Sequence, residues 1–179
     1  MKKWLSAAIA IVLVAGILAA CGGKNADNGQ TPSSQSPVGG GSANAGDLAE
    51  WGKTVRNQFD GTKINLAFAS HPSTEALQAM TSDFEKLTGI KVKWEVMEEN
   101  YLKNKQLLDF TGNSATYDVL MVDGMWMTEY GAKNVLEPLD AYLQDKAKTP
   151  EWYGYDDIVS AYRNGISKFK DKVYGIPTA

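Results

Sequence analysis

The chain has 179 residues and a formal net charge of −3. So mild an acidic balance supplies no basic stripe for a phosphate backbone, which argues against nucleic acid as a partner. Its hydrophobic share of 44% and charged share of 22% are those of an ordinary soluble globular protein, and the length suits one domain of ordinary size.

In chain order, the first segment is a leader. Met1-Lys2-Lys3 is a basic start, and Ala7 to Leu18 is an apolar run too short for a comfortable membrane span. Leu18-Ala19-Ala20-Cys21 closes it and resembles the bacterial lipobox, in which the Cys becomes the lipid-modified first residue once residues 1–20 are removed. The competing reading is an ordinary signal peptide with a chance Cys. As the sole Cys of the chain, Cys21 cannot form an internal disulfide. Two or more acyl chains anchor a protein stably where one holds only marginally. Residues 21–46 then form the lipidated Cys and a flexible tether. The tether is rich in Gly, Ser, Asn, Gln and Pro with little to bury, and its root-mean-square reach is on the order of 25–30 Å.

From residue 47 to 179 the pattern is that of a folded α/β unit. Asp47 to Phe59 is expected to be a short helix with Leu48, Trp51, Val55 and Phe59 on one face. Lys63 to Ala69 alternates as a strand. Ser73 is placed to cap a helix that runs to Thr88, where Leu77, Met80, Phe84 and Leu87 form one stripe and Gly89 ends it. Ile90 to Val96 alternates apolar and charged residues, as near a sheet edge. A helix from Tyr101 to about Thr111 follows, and Gly112-Asn113 breaks it. Tyr117 to Val122 is then a run of bulky apolar residues interrupted only by Asp118, the pattern of a central parallel strand covered on both faces. Asp118 is read as structural, bonding backbone or a neighbouring strand. Strand, helix, strand, helix, strand gives a parallel-type βαβαβ sheet with right-handed crossovers.

Further on, Trp126 to Lys133 and Leu139 to Lys148 read as helices. An aromatic loop follows at Trp152, Tyr153 and Tyr155, then a helix over Ile158 to Gly165, and two short strands from Phe169 to Gly175 turn tightly at Lys170-Asp171-Lys172. The last residues, KVYGIPTA, read as a strand beginning without a closing helix, so the chain is expected to be the front part of a longer protein.

Three stretches together resemble the extracellular solute-binding proteins of ABC importers, family 1. They are DFEKLTGIKVKWE (Asp83 to Glu95), YDVLMVDGMWMTEYGAKNVLEPLDAYL (Tyr117 to Leu143) and KVYGIPTA (Lys172 to Ala179). Glu98-Glu99-Asn100-Tyr101-Leu102 is similar to members that bind sugar alcohols. The resemblance implies a periplasmic-binding-protein-like (type II) fold of two α/β lobes, of which this chain would hold most of the first, with the second lobe missing. It also implies that the loops after the first three strands contact ligand hydroxyls and sugar faces. On that basis the ligand-binding candidates are Ser70 and His71 after the first strand, Glu99 and Asn100 after the second, and Asp123, Gly124 and Trp126 after the third.

The chemistry suits such a ligand. Carboxylates and amides make several hydrogen bonds to vicinal hydroxyls, and an aromatic face covers the C–H side of a sugar. Each candidate has a plainer role: an Asx turn for Asp123, packing for Trp126, a helix cap for Asn100, and a surface loop for His71, the chain's single His. The partners implied are a carbohydrate ligand, two permease subunits and the membrane through the lipid anchor. No cofactor and no metal are expected.

Enzyme chemistry finds little support. Glu98 and Glu99 are adjacent, so in an extended segment their side chains point opposite ways and cannot flank a glycosidic bond. P-loop, GxGxxG, zinc-spacing and GxSxG signatures are absent. The alternatives that remain open are a lipoprotein of the same fold with a peptide or metal ligand, and a surface hydrolase.

Overall fold

The computed structural model describes residues 43–178. The leader, Cys21 and nearly all of the tether lie outside the described residues.

Helix starts are set by caps, and this shifts several boundaries. α1 (Ala45–Phe59) begins two residues ahead of the expected Asp47, because the Asn44 Oδ1 accepts a hydrogen bond from the Asp47 amide at 2.9 Å. β1 (Lys63–Ala69) follows as expected. The cap of α2 (Pro72–Thr88) is His71 rather than Ser73, and its Nδ1 accepts from the Ser73 amide at 3.2 Å. Pro72 explains the difference: at the first helical position its missing N–H is not needed and its φ is already helical. The stripe of α2 faces inward, with Leu77 buried and Met80, Phe84 and Leu87 half-buried. Gly89 at φ +75 closes the helix in the left-handed conformation.

β2 (Lys91–Met97) pairs in parallel with β1, from Lys63 opposite Lys91 to Ala69 opposite Met97. Its alternation is imperfect. Val92 and Trp94 pack on the core, but Val96 is 39% exposed. α3 (Glu99–Gly112) starts two residues before the expected Tyr101, because the Glu98 carboxylate caps it by accepting the Tyr101 amide at 3.2 Å.

β3 (Val119–Leu120) pairs with β1 at Leu66–Val119 and Ala67–Leu120, giving the strand order β2-β1-β3. This corrects one expectation. Among the described residues the central strand is β1, while the run Tyr117 to Val122 supplies a two-residue, half-buried ladder at the sheet's side. Asp118 begins that ladder, taking the Asn65 amide on its Oδ2 at 2.8 Å and donating its own amide to the Asn65 carbonyl at 2.9 Å. The ladder stops once the Met121 amide has reached the Ala67 carbonyl at 2.9 Å.

The two faces of β1 build two cores. Ile64, Leu66 and Phe68 join Leu77 and Ile90, while Ala67 and Ala69 join Leu102, Trp126 and Tyr130. Beyond β3 the elements are short: α4 (Met127–Lys133), α5 (Asp140–Gln144), 3-10 turns at Glu151–Tyr153 and Tyr155–Asp157, and α6 (Ser160–Gly165). α5 stops well before Lys148 because Asp145 turns the chain, its Oδ1 accepting the Ala147 amide at 3.0 Å. β4 (Lys168–Phe169) and β5 (Lys172–Val173) form an antiparallel hairpin. Its two turn residues, Lys170 at φ 47 and Asp171 at φ 62, are left-handed as a two-residue hairpin requires. The hairpin is tied to α5 through the Leu139 amide on the Val173 carbonyl at 2.7 Å.

Leu66 is 2% exposed on the central strand, whereas Leu108 is 72% exposed on α3. Leu66→Ala is expected to cost about 2–5 kcal/mol in urea unfolding, and Leu108→Ala less than about 0.5 kcal/mol.

Candidate functional site

Parallel strands paired in register end together. The carboxyl ends of β1, β2 and β3 therefore share one edge, and the segments after them, Ser70-His71, Glu98-Asn100 and Asp123-Trp126, gather there. This is the edge where open α/β sheets place ligands.

The first loop and the start of α2 are locked to the ends of β2 and β1. The Ser70 amide donates to the Met97 carbonyl at 2.8 Å, and the buried Thr74 hydroxyl donates to the Ala69 carbonyl at 2.8 Å. His71 lies exposed, with its Nδ1 2.7 Å from the Ser73 hydroxyl. In the second loop Glu98, not Asn100, is the cap, and Asn100 Nδ2 donates back to Glu98 Oε1 at 3.1 Å. Glu99 and Asn100 are thereby exposed in the first turn of α3.

The third loop is built by Asp123. Its Oδ1 accepts the Met125 amide at 2.7 Å and its carbonyl accepts the Trp126 amide at 2.9 Å, an Asx turn. An ionised carboxylate has about four acceptor sites, so one such bond leaves capacity for a ligand hydroxyl. At Gly124 an added Cβ would lie 3.0 Å from Ile166 Cβ and Cγ2, so a larger residue there would require Ile166 to shift.

Trp126 occupies a different place from the one its sequence position suggests. It is 8% exposed, tilted against Tyr130 at 6.3 Å, with Lys103 Nζ 5.4 Å from its ring centroid. The ring packs behind the loop. Met125, its neighbour, is 83% exposed. In Met125-Trp126-Met127 three large apolar side chains stand in a row, and periodicity alone does not say which turns outward.

Sequence reasoning missed the residue that anchors this loop. Gln106 is fully buried, donates from Nε2 to the Met121 carbonyl at 2.9 Å and accepts the Tyr130 hydroxyl on Oε1 at 2.9 Å. Both ends of its amide are used, joining α3, α4 and the end of β3. Burial pushes the Tyr130 phenol up to about 12, so it stays a donor at any ordinary pH. The available signal was an amide one helical turn from Leu102 on the same face.

Two ion networks brace the same helices. Glu95 on β2 accepts from Lys105 at 2.9 Å and from the Tyr117 hydroxyl at 2.7 Å. Lys105 first and Tyr117 second hold the Glu95 carboxyl below its ordinary 4.5. Glu129 on α4 is paired with Lys133 at 2.7 Å and with Lys103 of α3 at 3.1 Å, and these two cations lower its pKa.

An open recess of about 200 Å³ lies between Trp51, Trp152 and the acids Asp47 and Glu50, and none of the three loops lines it. Among the described residues no group of three or more His, Cys, Asp or Glu is placed to hold a metal ion.

An α/β lobe that gathers three loops along the carboxyl edge of a parallel sheet has the form of one wall of a small-ligand cleft. Comparison with known proteins agrees. Residues 69–179 match the model of the bacterial extracellular solute-binding proteins, and the chain belongs to that family, whose members act outside the cytoplasm. It is 28% identical over 147 residues to the erythritol/L-threitol-binding protein of Mycolicibacterium smegmatis, an alignment covering 82% of this chain and 28% of that protein. It is 27% identical to the mannitol-binding protein of Pseudomonas aeruginosa, over 64% of this chain and 24% of that one. In structure it is similar to an ABC transporter solute-binding protein of Agrobacterium radiobacter K84 in complex with ribitol. There the TM-score is 0.61 at 26% identity, covering 66% of this chain and 29% of that one. The chain thus spans 24–29% of the length of these relatives.

Gln106→Leu strands the Met121 carbonyl and the Tyr130 hydroxyl, and is expected to lower stability by about 2–4 kcal/mol in chemical denaturation. The depressed Glu95 contributes stability that is fully present above 4.5 and is lost as pH falls through its folded value. The stability difference between wild type and Glu95→Gln should therefore shrink when unfolding is repeated from neutral pH down to below 4.5.

Proposed function

We propose that the whole protein is the substrate-binding lipoprotein of an ABC importer. It captures a carbohydrate, a sugar alcohol foremost, outside the cell membrane and delivers it to the permease. The observation that carries this reading is the shared carboxyl edge. Ser70, His71, Glu99, Asn100, Asp123 and Gly124 come from three separate loops to one rim, exposing acids, an amide, a hydroxyl and an imidazole. Such groups accept and donate to vicinal hydroxyls, and charge-assisted bonds add strength. The relatives named for erythritol, L-threitol and mannitol, and the structure holding ribitol, support a polyol as the ligand class.

No covalent step is required. The lobe supplies one wall, a second lobe closes over the ligand, and the ligand shifts the open–closed equilibrium by its preference for the closed form. The closed form docks on two permease subunits driven by a cytoplasmic ATPase. Cys21, lipidated after removal of residues 1–20, anchors the protein to the membrane. The tether preceding the Asn44 cap of α1 lets the lobe turn to the permease. Trp126 serves in this scheme as backing for the Asp123 loop.

The test is a thermal-shift screen of the whole protein with monosaccharides, oligosaccharides and sugar alcohols. A true ligand at 100 times its dissociation constant should add about 2.7 kcal/mol of stability. Asp123→Ala should weaken that ligand. A flat response across the panel would refute the carbohydrate assignment.

A further inference from the structure

A polyol presents C–H groups as well as hydroxyls, and a site for it needs an apolar surface beside its polar groups. With Trp126 packed inside, this lobe's share of that surface has to come from elsewhere on the rim. Two large side chains immediately following the strand ends are exposed there: Met125 at 83% and Tyr101 at 57%. Among the described residues the other exposed large apolar side chains are Val96 on β2, Leu108 further along α3, and Val159, Tyr162 and Ile166 in and around α6, of which only Tyr162 is aromatic.

Tyr101 is the aromatic one of the pair, and its position is fixed. Its amide is held by Glu98 Oε2 at 3.2 Å, which puts it in the first turn of α3 directly after Glu99 and Asn100. Helical Cα–Cβ bonds tilt toward the N-terminus, so a first-turn side chain leans toward the strand ends rather than along the helix. Its ring makes no ring contact and its hydroxyl no hydrogen bond among the described residues. Folding therefore leaves the phenol and the exposed part of the ring uncommitted. A tyrosine also loses only two side-chain torsions on binding, so its ordering cost is small.

Resting on the carbohydrate reading above, we propose that Tyr101 is the aromatic contact of the site. Its ring covers the carbon chain of a sugar alcohol while Glu99 and Asn100 beside it take hydroxyls. Trp126 supports the opposite loop from behind and touches no ligand.

The test is calorimetric titration of the whole protein with erythritol, ribitol and D-mannitol, alongside melting curves without ligand. Tyr101→Ala should weaken the best of these about tenfold and shift the ligand-free melting temperature little, since Tyr101 is 57% exposed and belongs to neither buried cluster. Tyr101→Phe keeps the ring and should stay within about threefold of wild type. Trp126→Phe should lower the ligand-free melting temperature and keep the affinity. Wild-type affinity in Tyr101→Ala would overturn the proposal and leave the carbohydrate reading standing. So would an affinity loss in Trp126→Phe without loss of stability. If the wild type binds none of the three polyols and no other carbohydrate, the underlying reading fails and this one with it.

Discussion

Buried backbone amides and carbonyls have no water to turn to, so each needs a partner inside the protein. In β1 this demand is met on both sides at once. Its one edge runs the full length of β2, and its other edge is taken by Asp118, Val119, Leu120 and Met121. Everything else follows from that double pairing. The side chains of β1 alternate into two separate cores, one under α1 and α2 and one under α3 and α4. The parallel register also brings three chain segments, far apart in sequence, to a common rim. Were β1 to slip by one residue, Ile64, Leu66 and Phe68 would change faces and both cores would be lost.

The order of elements was legible because it rests on local patterns. The alternation of Ile64, Leu66 and Phe68, the stripe of Leu77, Met80, Phe84 and Leu87, and glycine at position 89 each carry their own structural instruction. Asp118 was also readable, since an acid inside an apolar run must bond its neighbours. The rank of strands within the sheet was not. Tyr117 to Val122 is as apolar as a central strand, but centrality depends on which partners pair, a property of the whole chain. Helix starts slipped for a related reason. His71 and Glu98 are less familiar caps than Ser73 and Asn100, and the geometry chose them over the commoner residue types.

At the rim, the three loops were legible and the roles within them only partly so. Asp123 both shapes its turn and retains acceptor capacity, so its two readings were never exclusive. Trp126 and Met125 are adjacent large apolar residues, and only packing against Tyr130 and Lys103 shows which is inside. Gln106 escaped notice because a lone glutamine within a helix is commonplace. Its significance appears only once Met121 and Tyr130 are seen on either side of it.

α3 divides its labour by face. Leu102 and Gln106 are sealed inward, while Glu99, Asn100 and Tyr101 stand outward at its first turn. None of the outward three belongs to either buried cluster. Mutation can therefore rewrite what meets the solvent at the rim while the scaffold that presents it stays intact. At this turn of α3 the residues that meet the solvent and those that hold the lobe together are different, so selection can retune one set without first rescuing the other.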